Sequence, residues 1–594
     1  MSAALRHRGP DDHGAYFSPS SEVGIAARRL SIIDVAGGHQ PLSNEDGSVW
    51  AVLNGEIYNY AQLREQLSRC GHSLTTNSDT EVLVHLYEEY GNELVHALEG
   101  MFAFALWDEQ AGRLLVTRDR FGEKPLFYHN DHGVLTFASE LSALRAGVTG
   151  ADDVDSAALD AFFIFGYVLG PRSLIGNVSQ LPPGHLLVWR RAQGSVEIRP
   201  YWAPLHCAGQ AAGTIPELID EAEQLFDASV QSRLIADVPV GVFLSGGFDS
   251  TLVAALSARH VAGRLQTFTV GYETGQVNNE TTQARLAAQA IGADHHEVVV
   301  SDADVAVRLP RLFRAIDQPI ADQALVAAHA VSECARLHVT VAVDGKGADE
   351  VFGGYPKYRW VRRAERLTAV AATAVLPLPR RLGRVHDLLL SRTLMRRQLD
   401  WVDGGRHQAR DLLYGPRMRS RLAAPPLWAP LERQLSDQMD HNAGSALMEL
   451  DQRQWLPDGV LANADRASML VSLEVRTPFL ERRLVEFAAT VPMTLHRRDG
   501  GNFLVRSVLR RVLPMAARRN KTAFRVPAAE WLRGPLAPLL HDQLRHGLIF
   551  EEGWFDRAAA SRIAGEHQAG RRDCSAILWP VLAVGLWLDR LRGR

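Results

Sequence analysis

Ser245-Gly246-Gly247-Phe248-Asp249-Ser250-Thr251 follows an apolar run, Val240 to Leu244, and opens onto a helical pattern. A glycine pair at a strand-to-helix turn lets the backbone approach an anion with no Cβ in the way. The free amides of a helix start, with the hydroxyls of Ser245, Ser250 and Thr251, supply donors for phosphate oxygens. A carboxylate has no use against a bare phosphate, so Asp249 implies a bridging Mg²⁺. A lone Gly-Gly would suit a tight turn with a serine cap, but the whole string after a strand points to a nucleotide. It is not the GxxxxGK[ST] loop, because no lysine follows. A helical pattern at 216–235 precedes the first strand, and further strands at 266–271 and 339–343 are each separated from the previous one by helical segments, a pattern that predicts a parallel sheet covered on both faces.

The first third reads differently. Strand-like alternation recurs at 24–33, 48–53, 102–107, 113–118 and 134–138, with one clear helix at 60–69 after Asn59 as N-cap. Leu181-Pro182-Pro183-Gly184-His185 marks a turn, and the stretch 207–213 reads as an inter-domain connection. The last third is mostly helical. At 594 residues the chain needs more than one hydrophobic core.

Bulk properties exclude several classes. Lys+Arg (64) and Asp+Glu (68) nearly cancel to a net charge of -4, which gives no electrostatic case for nucleic acid or an anionic membrane as partner. The arginines at 359, 362, 363, 366, 380, 381 and 384 read as a solvated helical face. The four cysteines, Cys70, Cys207, Cys334 and Cys574, form no CxxC pair, which argues against a disulfide framework or a zinc site and fits a reducing, cytoplasmic setting. The apolar run 576–588 is too short to span a bilayer and carries Pro580, so a buried C-terminal helix is expected.

The loop and its surroundings, Ser232-Arg233-Leu234-Ile235-Ala236-Asp237-Val238-Pro239-Val240-Gly241, resemble the N-type ATP pyrophosphatases and, within them, the asparagine synthetase family. Thr267-Phe268-Thr269-Val270-Gly271, Asn279-Glu280, Asp317-Gln318-Pro319-Ile320-Ala321-Asp322, Asp344-Gly345-Lys346-Gly347-Ala348-Asp349-Glu350, Asp465-Arg466, Glu474-Val475-Arg476-Thr477-Pro478 and Arg519-Asn520-Lys521 extend the likeness over nearly the whole chain. The resemblance implies ATP bound by Leu244, Ser245, Gly246, Gly247, Asp249, Ser250, Val270, Gly271, Asp344 and Gly345, with Mg²⁺ on Asp249 and Asp349. A carboxylate, with aspartate the leading choice, would attack the α-phosphate, release diphosphate and then take ammonia. Lys521 would stabilise charge on the phosphate or the tetrahedral intermediate. Lys346 stands where the family carries an acidic residue, which reverses the charge beside the acceptor or nucleophile. Alternatives are another carboxylate acceptor, a cyclase closing a β-lactam or macrolactam, or an inactive homologue that binds or regulates.

Upstream, Arg6-His7-Arg8-Gly9-Pro10-Asp11, Arg29-Leu30-Ser31-Ile32-Ile33-Asp34, Asn54-Gly55-Glu56-Ile57-Tyr58-Asn59 and Ser78-Asp79-Thr80-Glu81 resemble, in that order, a class II glutamine amidotransferase domain. The resemblance implies a glutamine site made by Arg29, Leu30, Ser31, Ile32, Ile33, Asn54, Gly55, Glu56 and Asp79. Arg29 would clasp the carboxylate bidentately, Glu56 and Asp79 the α-ammonium, and Asn54 with Gly55 would form the oxyanion hole beside the reacting amide. That mechanism needs an N-terminal cysteine, whereas this sequence starts Met1-Ser2. The expectation is either a start upstream or a genuinely short chain using free ammonia. The expected architecture is an α+β amidotransferase sandwich over 1–200, then an α/β ATP-pyrophosphatase domain over 214–594, with a homodimer as the expected assembly.

Overall fold

The computed structural model of the chain describes residues 1–148, 150, 152–205, 211–273, 280–358, 405–431, 443–514 and 526–593. The first half is built on strands β1 (Asp12–Phe17), β2 (Gly24–Arg29), β3 (Leu42–Ser43), β4 (Val49–Ile57), β5 (Gly100–Asp108), β6 (Arg113–Arg118), β7 (Phe127–Asp131), β8 (Val134–Ala138), β9 (Ser179–Gln180), β10 (His185–Arg190) and β11 (Ser195–Pro200). Six of them form an antiparallel sheet in the order β11-β10-β6-β5-β4-β3. Strand β5 is apolar on both faces, and its period-2 alternation decides what each face meets. Phe102, Phe104 and Leu106 point to the helices Tyr60–Cys70 and Glu81–Tyr90. Ala103, Ala105 and Trp107 point instead to a core that includes Val23 and Ile25 of the β1-β2 hairpin region and Leu126 and Leu181 beside β7 and β9. The result is an α+β sandwich with one helical layer and small sheets on the opposite face.

The second half holds a five-stranded parallel sheet of β12 (Val240–Phe243), β13 (Gln266–Tyr272), β14 (Asp294–Val300), β15 (Val341–Val343) and β16 (Glu474–Arg476). Its order is β14-β13-β12-β15-β16, and every pair is parallel. The chain therefore steps outward from β12 through β13 to β14, then returns to lay β15 on the other side of β12. In such a sheet the crevice at the carboxyl ends of the two strands flanking that reversal is where ligands bind. The turns after β12 and β15 are the two glycine loops of the sequence, 244–247 and 344–347.

Helix Ile215–Arg233 starts with a full capping box between Thr214 and Glu217, and its Leu218, Ala222, Phe226 and Val230 enter the core beneath the sheet. The apolar C-terminal run is a buried helix, Ser575–Leu591, with Pro580 inside it and Trp579 and Trp587 almost fully enclosed. Among the described residues no helix is long and apolar enough to cross a membrane. Asn59 stands at the start of its helix, but its side chain makes no cap. It donates to Ala97 O (2.9 Å) and accepts from Glu99 N (3.0 Å), so it holds the approach to β5 instead. The arginines at 359–384, Cys207 and residues 519–521, which include Lys521, lie outside the described residues.

Buried ion pairs join the halves. Arg8 meets Asp465 through two parallel hydrogen bonds of 2.7 and 2.8 Å and also reaches Glu140 at 3.2 Å. Asp237 donates its amide to Ile32 O (2.9 Å) and accepts from Asp34 N (2.7 Å), which docks the segment after β2 against the start of the parallel sheet.

Candidate active site at the sheet reversal and the cavity behind it

The loop after β12 is held by its own hydroxyls. Ser245 and Ser250 share a hydrogen bond of 2.9 Å, and Gly247 N donates to Ser245 Oγ at 3.3 Å. Helix Phe248–His260 then begins at Gly247 with no side-chain cap, so its first amides face the crevice and suit an anion. Gly246 has φ +76°, and a Cβ there would sit 2.6 Å from Ala284 N. Gly345 lies so close to the same loop that a Cβ would stand 2.8 Å from Ser250 N. The two glycine loops thus pack backbone to backbone, with Leu244 buried beneath them and Val270 and Gly271 beside them in β13. A Gly246→Ala exchange is expected to strain the loop by about 1–3 kcal/mol. Equilibrium binding should then show ATP affinity reduced at least roughly tenfold.

Asp249 and Asp349 come from opposite loops, and one residue brings them together. The Asn502 side-chain amide donates to Asp249 Oδ1 (2.9 Å) and to Asp349 Oδ1 (2.8 Å). Asn502 is buried, adopts φ +51° at the head of helix Phe503–Val512, and keeps its Oδ1 without a hydrogen-bond partner. Two converging carboxylates and a buried amide oxygen form an all-oxygen donor set, the chemistry that Mg²⁺ takes. Behind Asp349, burial and the Asp349 charge push the Glu350 carboxyl up to about 7, and it accepts from Tyr355 OH at 2.6 Å. Lys346 does not project a free charge into the crevice, because its ammonium is paired with Asp344 within the same loop. Sequence reading missed Asn502; the only local signal was an asparagine between Gly500-Gly501 and a helix.

The cavity of about 370 Å³ in the first half is lined by Arg29, Leu30, Ile32, Ile33, Asn54, Gly55, Glu56 and Asp79, with Glu474 contributed from β16. Eight of the nine expected glutamine-site residues therefore share one cavity. Ser31 is the exception, its amide donating to Asp11 Oδ2 (2.9 Å). Arg29 turns its guanidinium to the carbonyls of Ile33 (2.6 Å), Asp34 (2.8 Å) and Val35 (3.3 Å), so it clamps its own loop. Asn54 donates to Ser139 Oγ at 3.3 Å, and Gly55, at φ +134°, leaves no room for a Cβ against the Met101 carbonyl.

Two carboxyls give the cavity its electrostatic character. Burial pushes Asp79 up to about 6, although it accepts from Ile57 N at 2.9 Å. Glu56 is pushed well above the usual carboxylate range by burial and by Asp79, and its Oε2 is buried without a partner. Both would ionise readily for a cationic group placed between them. Arg476 stands behind them. Its side chain reaches Glu474 (2.9 Å) and Glu56 (3.5 Å), and donates to the carbonyls of Arg233 (3.0 Å) and Ile235 (2.6 Å). Its carbonyl accepts from Asp344 N at 2.9 Å. One residue of β16 thus touches both the cavity wall and the second glycine loop.

Residues 221–589 match the asparagine synthase family, and residues 1–202 match the glutamine amidotransferase domain. The chain is 32% identical over 604 residues to asparagine synthetase (glutamine-hydrolyzing) 1 of Bacillus subtilis, an alignment covering 99% of this chain and 92% of that protein. It is 34% identical over 611 residues to a putative asparagine synthetase (glutamine-hydrolyzing) of Mycobacterium tuberculosis, covering 98% and 92% respectively. Amidase chry2 of Gibberella zeae is 26% identical over 655 residues, covering 99% of this chain and 94% of that protein. The chain therefore belongs to the asparagine synthase family, as a carbon–nitrogen ligase of the glutamine-hydrolysing asparagine synthetase type with a glutamine amidotransferase domain ahead of its synthase domain.

Proposed function

We propose that the chain adenylates the side-chain carboxylate of aspartate and amidates it with ammonia drawn from glutamine or from solution. The observation that carries this reading is the pair of glycine loops at the sheet reversal, with Asp249 and Asp349 drawn together by Asn502. The first loop's amides and hydroxyls hold the phosphates in line, and the close packing of Gly345 on Ser250 fixes the second loop beside them. A carboxylate oxygen attacks the α-phosphorus, and the bond to the diphosphate breaks. Ammonia then attacks the acyl carbon, AMP leaves with the bridging oxygen, and loss of a proton gives the amide. Mg²⁺, held by Asp249 and Asp349, would neutralise charge on the departing diphosphate. In this reading the amidotransferase part spans 1–200 and the synthetase part 214–594. Lys521, by its place in the motif, serves the transferring phosphate. Free thiols at Cys70, Cys334 and Cys574 accord with a cytoplasmic setting.

Lys346 favours a second reading, in which the acceptor is a different carboxylate. Ammonia-dependent diphosphate release across a panel of carboxylic acids separates the two. Release with aspartate supports the first reading; no release with aspartate, but release with another acid, overturns it. The Lys346→Glu variant sharpens the result, since it frees Asp344 and restores negative charge beside the acceptor.

The cavity behind is proposed to take the α-amino acid end of glutamine, its ammonium lying between Glu56 and Asp79. With burial pushing its carboxyl up to about 6, Asp79 loses charge below that pH, and glutamine affinity is expected to weaken there by roughly tenfold per unit. The stability contribution has the opposite sign. A carboxyl whose folded value is raised favours the fold at low pH, and that contribution is lost as pH rises through about 6. Calorimetric titration with glutamine over pH 5–8 checks the affinity, and Asp79→Asn is expected to remove the part of the profile centred near pH 6.

A further inference from the structure

On the face of the first half away from the glutamine cavity, three chain segments bring four ligand-type side chains to one point. Glu45 lies in the turn between β3 and β4. His72 follows helix Tyr60–Cys70, where Gly71 at φ +101° turns the chain back over the helix end. His85 and Glu88 lie three apart in helix Glu81–Tyr90 and so share a face. One ligand atom from each of the four lies within 4.8 Å of every other.

The spacings have a definite geometry. His72 Nδ1 stands 3.3 Å from Glu45 Oε1 and 3.7 Å from Glu88 Oε2. His85 Nδ1 stands 3.3 Å from Glu45 Oε2 and 3.1 Å from Glu88 Oε2. A tetrahedral centre with bonds of about 2.0–2.1 Å has edges of about 3.3 Å; the His85–Glu88 separation and each His–Glu45 separation lie near that value, with Glu45 meeting the two rings through different oxygens. Both imidazoles present the same nitrogen, Nδ1, with ring centroids 4.8 Å apart.

An outer ring of hydrogen bonds fixes three of the four groups, while His85 Nε2 is buried without a partner. His72 Nε2 pairs with Glu89 Oε1 at 3.1 Å, which aims Nδ1 inward. Ser73 N donates to Glu45 Oε1 (2.9 Å), and Asn44 Nδ2 donates to Glu88 Oε1 (2.8 Å), leaving Glu88 Oε2 for the centre. His85 is enclosed, with 1% of its surface exposed. Two imidazoles and two carboxylates suit zinc among the divalent cations, and a set with four protein ligands is of the structural kind.

We infer that Glu45, His72, His85 and Glu88 form a structural Zn²⁺ site that staples the β3-β4 turn and the end of the first helix to the second helix. That helix begins immediately after Asp79 and Thr80, both of which line the glutamine cavity. The site uses no cysteine and is separate from Asp249 and Asp349.

The test uses the full-length protein, stripped with a chelator, freed of it by gel filtration and titrated with Co²⁺. The expected result is one Co²⁺ per chain with the visible absorption of a four-coordinate nitrogen–oxygen site, displaced by Zn²⁺. Zn²⁺ alone should raise the melting temperature of the stripped protein. Glu45→Gln, in an exposed turn, and His72→Gln are each expected to abolish the absorption with the far-UV circular dichroism unchanged, while Asp349→Ala keeps it. No absorption in the parent protein, or absorption that survives both Glu45→Gln and His72→Gln, overturns the proposal.

Discussion

Asp349→Ala is expected to lower ATP-dependent diphosphate release by about 10²–10³-fold, the loss typical when a preorganised charge-stabilising group is removed from an active site. The reason is positional. Asp349 opens the short helix after the second glycine loop, Asp249 opens the helix after the first, and Asn502 spans them with bonds of 2.8 and 2.9 Å. Asn502→Asp is expected to do comparable damage with almost no change in shape. It replaces the shared donor with a third carboxylate and drives the other two apart. Circular dichroism should be unaltered in both variants, because neither residue belongs to the apolar core. Steady-state diphosphate release with saturating ATP and ammonia checks the magnitude.

Arg476→Ala is expected to cost about 3–5 kcal/mol of stability, as is usual when one partner of a fully buried charge network is deleted. Arg476 has no exposed surface. Burial opposes its charge, but Glu56 and Glu474 outweigh burial and hold it protonated. Truncation leaves those carboxylates without their cation and the carbonyls of Arg233 and Ile235 without a donor. Lysine is expected to rescue little, since a single ammonium cannot reproduce a guanidinium fork that serves two carbonyls and a carboxylate at once. Denaturant unfolding measures the loss. The Arg476 carbonyl also holds the Asp344 amide, so any shift of β16 in the lysine variant is expected to disturb the second glycine loop and lower diphosphate release even where the fold survives.

What could be read from the sequence follows from what each local rule constrains. The two glycine loops were legible because only glycine meets their backbone demands, at Gly246 by its positive φ and at Gly345 by the contact with Ser250. Strands β12, β13 and β15 were legible as apolar runs set between helices. Strand β14 was not, because its first half is Asp294-His295-His296-Glu297 and it forms a sheet edge, where polar residues are tolerated. Strand β16 is only three residues long, too short to show any period.

The sites divide in the same way. The residues that line the cavity of the first half were legible as strings, whereas the engagement of Arg29 by its own loop carbonyls depends on a turn that no spacing rule describes. In the sequence Lys346 stands out only as a reversed charge beside the acceptor; its pairing with Asp344 is a contact between next-but-one neighbours that requires the loop to fold first. Asn502, and Arg476 apart from its contact with Glu474, act on groups far away in the chain, so those roles come from topology. The same holds for Glu45, His72, His85 and Glu88, whose spacing matches no linear metal motif.

Activation of a carboxylate by transfer of AMP is tested directly with aspartate labelled with ¹⁸O in its side-chain carboxylate, incubated with the protein, ATP, Mg²⁺ and ammonia. AMP carrying one ¹⁸O atom, formed together with diphosphate and asparagine, is the predicted result. Asparagine formed alongside unlabelled AMP, or alongside ADP and orthophosphate, would contradict it.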